Sequence, residues 1–206
     1  MFDRFHAFGP EAPRPDDDRP DPRTEAARLA SLARYRPEAL AGAPALDALL
    51  DAARAEFDVP MAALTLVGED RQTAVAARGF DAPLDAPRAE SFCRRPVANG
   101  RPLYVEDARE DPRFRGAAFV AGPFGLRFYA GAPVRLADGH VLGALCLIDT
   151  RPRRMPEPAR LRLLAMAAAA QEMIAAHGLA LDLLDAVSAE ARAAARDLPP
   201  ALAAIR

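Results

Sequence analysis

The hydrophobic positions of the chain change period twice. Between residues 21 and 57 they recur at helical spacing. Asp21-Pro22 opens a first helix, because aspartate suits the N-cap and proline the first turn. Leu29, Leu32 and Ala33 form its apolar stripe, and Pro37 stops it. A second helix follows Pro44, with Leu46, Leu49, Leu50, Ala53 and Phe57 on one face, and Val59-Pro60 ends it.

The period then shortens. Met61–Val67 is an apolar run rich in β-formers, bounded by Gly68-Glu69-Asp70, and Gln72–Arg78 continues as its hairpin partner. Residues 81–90 are rich in proline and aspartate and read as loop. Phe92–Ala98 predicts a short helix limited by Pro96. Leu103–Glu106 predicts a short strand, with Asp107 capping the turn after it. Arg127–Leu136 and His140–Ile148 are strands joined through Asp138-Gly139, where both positions tolerate positive φ. Gly131 and Gly143 imply close packing or a bulge, and Pro133 an edge or a bulge. Asp149 is placed to accept from nearby backbone amides.

A long helix begins near Pro158, with Leu163, Met166, Ala167, Ala170, Met173, Ile174 and His177 on one face. Gly178 either caps it or is passed through. Beyond, Leu184, Val187, Ala191, Ala194 and Leu198 step by three and four, the spacing of a coiled-coil seam. Alanine contacts make such a seam weak alone, so it calls for a partner helix; Pro199-Pro200 closes it. The order predicts an α+β fold: a central antiparallel β-sheet of five to six strands, helices mainly on one face, and long N- and C-terminal helices. The chain divides into residues 1–20 as a disordered Pro/Asp-rich tail, 21–178 as the domain with its N-terminal helices, and 179–206 as a helical extension for dimerisation or signalling. In the tail, Phe2, Phe5 and Phe8 recur every third residue, beside too little apolar surface to offset ordering entropy.

Composition narrows the function. The net charge is −2, with all 27 basic residues arginine, and no basic excess marks a nucleic-acid binder. No apolar run approaches the roughly 20 residues that cross a bilayer, and Met1–Pro22 lacks the apolar stretch of a signal peptide. Two cysteines, Cys93 and Cys146, make no extracellular disulfide framework. These features predict a cytoplasmic protein with neither nucleic acid nor membrane as partner. His6, His140 and His177 lie far apart, which gives no metal set. No phosphate loop or nucleophile elbow appears, so no catalytic residue is assigned and the chain is expected not to be an enzyme. No cofactor is named by the sequence.

Seven ordered blocks carry a resemblance. They are Arg28–Tyr35, Glu69–Gln72, Ser91-Phe92-Cys93, Pro102–Ala108, Asp111–Phe114, Arg127–Val134 and Gly139–Asp149. Together they resemble the GAF domains of a bacterial subgroup over about residues 28–176. The resemblance implies a sensory domain with a pocket between the sheet and the segments of residues 90–128. Ser91, Phe92, Cys93, Asp107, Phe114, Arg127, Phe128 and Tyr129 are its candidate ligand-binding residues. An apolar wall with a few polar anchors is the usual recipe for a small-molecule site, and equally describes a packed core under loops. Cys93 is either a redox-sensitive thiol favoured by Arg94 and Arg95, or a small buried side chain at a helix start. Cys146, midway along an apolar strand, reads as core. The implied function is to bind a small molecule or sense redox state, and to pass the change through the terminal helices to a homodimer or a signalling partner. The alternatives are a Cys93-dependent thiol enzyme like the methionine sulfoxide reductases of this fold, and a ligand-free interaction scaffold.

Overall fold

The structure is a computed structural model that describes residues 22–81 and 84–196. The predicted tail of residues 1–20 and the seam's end at Leu198 lie outside the described residues. Helix α1 (Pro22–Arg34) gives way to a 3-10 turn at Pro37–Leu40, then α2 (Pro44–Phe57). Arg36 and Asp58 close these helices in the left-handed region, at φ 43° and 48°. Strands β1 (Met61–Val67) and β2 (Arg71–Arg78) form the first hairpin. A short strand β3 (Asp85–Pro87), helix α3 (Arg94–Asn99), strand β4 (Leu103–Val105) and a one-turn helix α4 (Ala118–Ala121) come next. Strands β5 (Phe128–Arg135) and β6 (Val141–Asp149) form the second hairpin, and α5 (Glu157–Arg196) completes the described chain.

The six strands make one antiparallel sheet in the order β3-β2-β1-β6-β5-β4. Strand β3 corrects the loop predicted over residues 81–90. Three residues ending in proline carry no alternation to read. Pairing comes instead from the open edge of β2, helped by the ion pair of Arg71 with Asp85 at 2.9 Å. Proline is tolerated there because the outer edge needs no donor. Pro133 obeys the same logic: β4 pairs only as far as Gly131, so Pro133 lies beyond its end. The Asp138-Gly139 hairpin forms, but only Gly139 takes positive φ, at 87°. Asp138 instead uses its carboxylate, accepting from the His140 amide at 3.0 Å and the Ser31 hydroxyl at 2.6 Å.

The sheet is buried on both faces. Ala62, Leu64, Leu66, Ala130, Ala132, Val134, Leu145 and Leu147 meet α2 through Leu46 and Leu50, and α5 through Leu163, Ala167, Ala170 and Ile174. A fully buried leucine contributes about 1.5–3 kcal/mol, so this face carries most of the stability. The opposite face is covered by α3, α4 and their loops through Phe92, Val97, Phe114, Val120 and Leu126.

Helix α5 runs unbroken through Gly178 for 40 residues. Glycine is needed there because a Cβ would stand 2.5 Å from the Tyr35 ring that crosses it. By length and composition α5 meets the requirement for crossing a bilayer, which the run-length argument overlooks because scattered alanines raise its hydropathy. In the fold one face of its first half, Ala159, Leu163, Ala167, Ala170 and Ile174, lies buried on the sheet. Its second half exposes Leu179, Leu183, Leu184 and Val187.

Candidate functional site

On the face away from α5, a crevice opens between the sheet and the loops. Thr65, Tyr129, Cys146 and Ile148 form its floor, Gln72, Phe92 and Cys93 its side, and Phe80, Leu84, Phe119, Phe124 and Leu126 its mouth. Its free space is about 30 Å³. That holds one or two water-sized molecules and falls far below the roughly 300–1,000 Å³ of drug-sized sites.

Two glycines shape the floor. A Cβ on Gly143 would sit 1.8 Å from the carbonyl oxygen of Thr65, so its absence lets β6 press against β1 beneath the threonine. A Cβ on Gly131 would meet the Tyr129 hydroxyl at 2.2 Å, so the bare backbone gives the tyrosine ring its lying place. From there the Tyr129 hydroxyl donates to the Cys93 sulfur at 3.2 Å and stands 3.3 Å from the Cys146 sulfur. Thr65 donates its hydroxyl to Cys93 at 3.0 Å. The two cysteine sulfurs, both reduced and buried, are 3.2 Å apart.

The four side chains perturb one another. The Cys93 thiol is pulled down to about 7, first by the hydrogen bond from Cys146 and then, against the opposing effect of burial, by Thr65 and Tyr129. Cys146 is pushed well up, chiefly by burial and then by Cys93 beside it. Burial likewise raises the Tyr129 phenol. Thiolate character at Cys93 therefore comes from neutral donors. The sequence pattern pointed to Arg94 and Arg95 for that role, but the Arg95 guanidinium lies over the Phe114 ring, 5.3 Å from its centre.

Of the predicted residues, Phe92, Cys93 and Tyr129 line the crevice. Ser91 lies buried just behind it, donating its hydroxyl to the Gln72 side chain. Phe114 stands outside, its ring stacked on Phe92 at 4.1 Å. Asp107 and Arg127 are not in the crevice. They pair with each other, Arg127 Nε donating to Asp107 Oδ1 at 2.6 Å, while the Ala108 amide donates to the Arg127 carbonyl at 2.6 Å. This clamp closes the neck of the 107–127 loop and holds the Asp107 carboxyl below its ordinary range. Phe128 is a correction: strand alternation turns it into the helix-covered core, opposite Tyr129. Cys146 is another correction in part, for it is buried as predicted but also lines the crevice.

Sequence reasoning also missed Thr65, Gln72 and the mouth residues Phe80 and Leu84. One signal was present. Thr65 is the single hydroxyl in an otherwise apolar strand, and a buried hydroxyl needs a partner. Among the described residues no cluster of three or more His, Cys, Asp or Glu is placed to hold a metal.

The chain is 41% identical over 105 residues to a cyclic di-GMP phosphodiesterase of Pseudomonas aeruginosa, covering 51% of this chain but only 18% of that protein. Among solved structures, the GAF domain of an Acinetobacter phosphoenolpyruvate-protein phosphotransferase superposes with a TM-score of 0.56 at 19% identity, over 76% of this chain and 97% of that one. The free methionine-R-sulfoxide reductase of Neisseria meningitidis, solved with its substrate, gives 0.55 at 18% identity over 73% and 93%. At such identities these structures speak for the fold alone. The GAF domain model itself matches residues 43–175, more than half of the chain and every strand of the sheet, and the chain thereby belongs to the GAF domain family.

Proposed function

We propose that this chain is a non-catalytic, cytoplasmic sensory domain that receives a small input at the crevice and passes it through α5 to a homodimer or signalling partner. One observation carries the reading. Crevice and α5 lie back to back on the same two neighbouring strands, β5 and β6, so neither can move without the strand between them. The size of the crevice favours an input on the scale of a water molecule or a redox change over a bulky metabolite. On the output side, α5 extends beyond the sheet with a leucine and valine stripe facing solvent. Likeness to a P. aeruginosa phosphodiesterase over a small part of that protein fits a regulatory module of the kind attached to signalling enzymes. The test is light scattering on the full chain and on a chain lacking residues 179–206. A dimer that becomes a monomer on truncation supports the reading, and a monomeric full chain overturns it.

The Cys93–Cys146–Tyr129 cluster supports a second reading, a thiol enzyme. Alkylation kinetics separate the two. A Cys93 that reacts no faster than the thiol of the unfolded chain removes the catalytic case.

A further inference from the structure

Two reduced, buried cysteines from distant parts of the chain face one another across the crevice. Cys93 precedes α3 on the loop side, and Cys146 sits midway along β6. Their sulfurs are already in contact at 3.2 Å, and a disulfide needs them about 1.2 Å closer, given a bond of roughly 2.05 Å. Nothing in the scaffold role of either residue calls for a second thiol at that distance, since a buried cysteine packs as a small hydrophobe. The surroundings also differ from an inert core. Two hydroxyls, Thr65 and Tyr129, converge on the same pair of sulfurs. No charged side chain lines the crevice among its described residues, so these neutral donors are what a thiolate there would meet. The free space of about 30 Å³ touches both sulfurs. It admits a molecule little larger than water.

We infer that Cys93 and Cys146 form a hydroperoxide-oxidised dithiol, in which Cys93 is attacked first and Cys146 resolves it into an intramolecular disulfide. The Cys93 thiolate attacks one peroxide oxygen; the O–O bond breaks, and the leaving oxygen takes a proton to become water or an alcohol. Cys93 is left as a sulfenic acid. Cys146 sulfur then attacks Cys93 sulfur, the S–O bond breaks, and hydroxide leaves as water with the proton of Cys146. Two thiols lose two electrons and one hydroperoxide gains them. The order is set by the environment. Cys93 accepts from Thr65 and Tyr129 and ionises near 7, whereas Cys146 is held protonated by burial and by its neighbour. Once Cys93 is a neutral sulfenic acid, the part of that rise that came from Cys93 is gone, burial still opposes ionisation, and Tyr129 and Thr65 remain to steady the Cys146 thiolate. The small free space of about 30 Å³ restricts the oxidant to hydrogen peroxide or a slender alkyl hydroperoxide. This deepens the sensory reading by naming its input, and rests on that reading only for transmission to α5.

The test is intact-mass analysis of the full chain treated with hydrogen peroxide, then unfolded and alkylated. The expected product has lost two hydrogens, takes up no alkylating agent, and regains both thiols with dithiothreitol. The rate should rise with pH through a midpoint near 7 instead of the ~8.5 of a free thiol. Cys146→Ser should stop at a Cys93 sulfenic acid that dimedone captures, and Tyr129→Phe should move the midpoint toward the free value. Gain of oxygen without loss of hydrogen in the wild type, or disulfides only between chains, overturns the inference; the wild-type measurement needs no variant to fold. Cumene hydroperoxide, too bulky for the mouth, should react at least about tenfold more slowly with the folded than with the unfolded chain, and equal rates would refute the crevice as the route. Closure of the disulfide with unchanged oligomeric state would sustain the dithiol and sink transmission through α5. An inert dithiol in a protein that still dimerises through α5 would do the reverse.

Discussion

Replacing Leu184 and Val187 with glutamate tests the output side of the proposal. Both side chains are 63% exposed in the single chain and fall on one face of α5 with Leu183 and Ala191. Complete burial of a leucine or valine is worth about 1.5–3 kcal/mol, so roughly two-thirds of that, about 1–2 kcal/mol per side chain, remains to be gained on pairing. Two positions on each of two copies give about 4–8 kcal/mol, which corresponds to a thousand- to million-fold weaker association when they are lost. Even if pairing covers only half of that area, the change exceeds about 30-fold. Glutamate is as good a helix former as leucine and better than valine, so α5 itself should persist. The assay is sedimentation equilibrium across a concentration series, with circular dichroism and melting temperature as controls. The double variant should be monomeric at concentrations where the wild type is dimeric, with melting of its monomer unchanged. A variant that associates as tightly as the wild type refutes the assignment of this face.

The packing and the buried charge give two further outcomes. Gly143→Ala would drive a methyl to within 1.8 Å of the Thr65 carbonyl oxygen, a backbone atom with no room to turn away, so β1 and β6 must separate. We expect a loss of about 1–3 kcal/mol in urea unfolding, toward the upper end because the obstacle is backbone, and a loss under about 1 kcal/mol would contradict this packing. Glu25 is held down to about 2, first by its hydrogen bond from Arg28 and then by Arg88. Because its folded value lies below the ordinary one of 4.5, the stability it adds is complete above about 4.5 and drains away as pH falls toward 2. Glu25→Gln should therefore melt below the wild type at neutral pH and converge with it in acid; a gap that stays constant across that range would mean the ion pairs are not its source.

The fold was legible because its largest elements are locally consistent. The stripe of Leu46, Leu50 and Ala53 faces the sheet as its spacing predicts, and the Asp-Gly turn lies between β5 and β6. Strand β3 was not legible, because its pairing is imposed by the edge of β2 and not by its own residues. The site was half legible for a related reason. Motif position placed Phe92, Cys93 and Tyr129 near one another, yet strand parity, which decides between Phe128 and Tyr129, depends on register that no single strand states. The Asp107–Arg127 pair looked like a ligand anchor because composition cannot distinguish a charge that faces a pocket from one that clamps a loop neck. Cys146 was read as core and is core. Its second role depends on where a residue 53 positions earlier arrives, which is a property of the tertiary fold.

That parity also explains how one face of the sheet can inform the other. Along β6, Ala144, Cys146 and Ile148 lie on the crevice side of the sheet, while Leu145 and Leu147 face the core that α5 covers. Tyr129 and Phe128 divide in the same way on β5. A change of about 1 Å at Cys146 cannot be confined to its own side chain, because the pleat carries Leu145 and Leu147 with it and the core beneath them is close-packed. Leu163, Ala167 and Ile174 belong to that core, so the displacement arrives at α5 within two layers of side chains. Past Ile174 the helix meets the end of α1 and the turn after it through the Tyr35 ring at Gly178 and the surface pairs of Arg34 with Asp182 and Arg36 with Asp185, which are largely exposed and hold weakly. A small tilt at the sheet end is therefore opposed by little at the far end, and it grows with distance along a rigid rod. Under the two proposals, linkage makes the relation reciprocal: whatever oxidation of the dithiol would add to or take from the free energy of dimerisation, dimerisation would add to or take from the redox equilibrium of the dithiol.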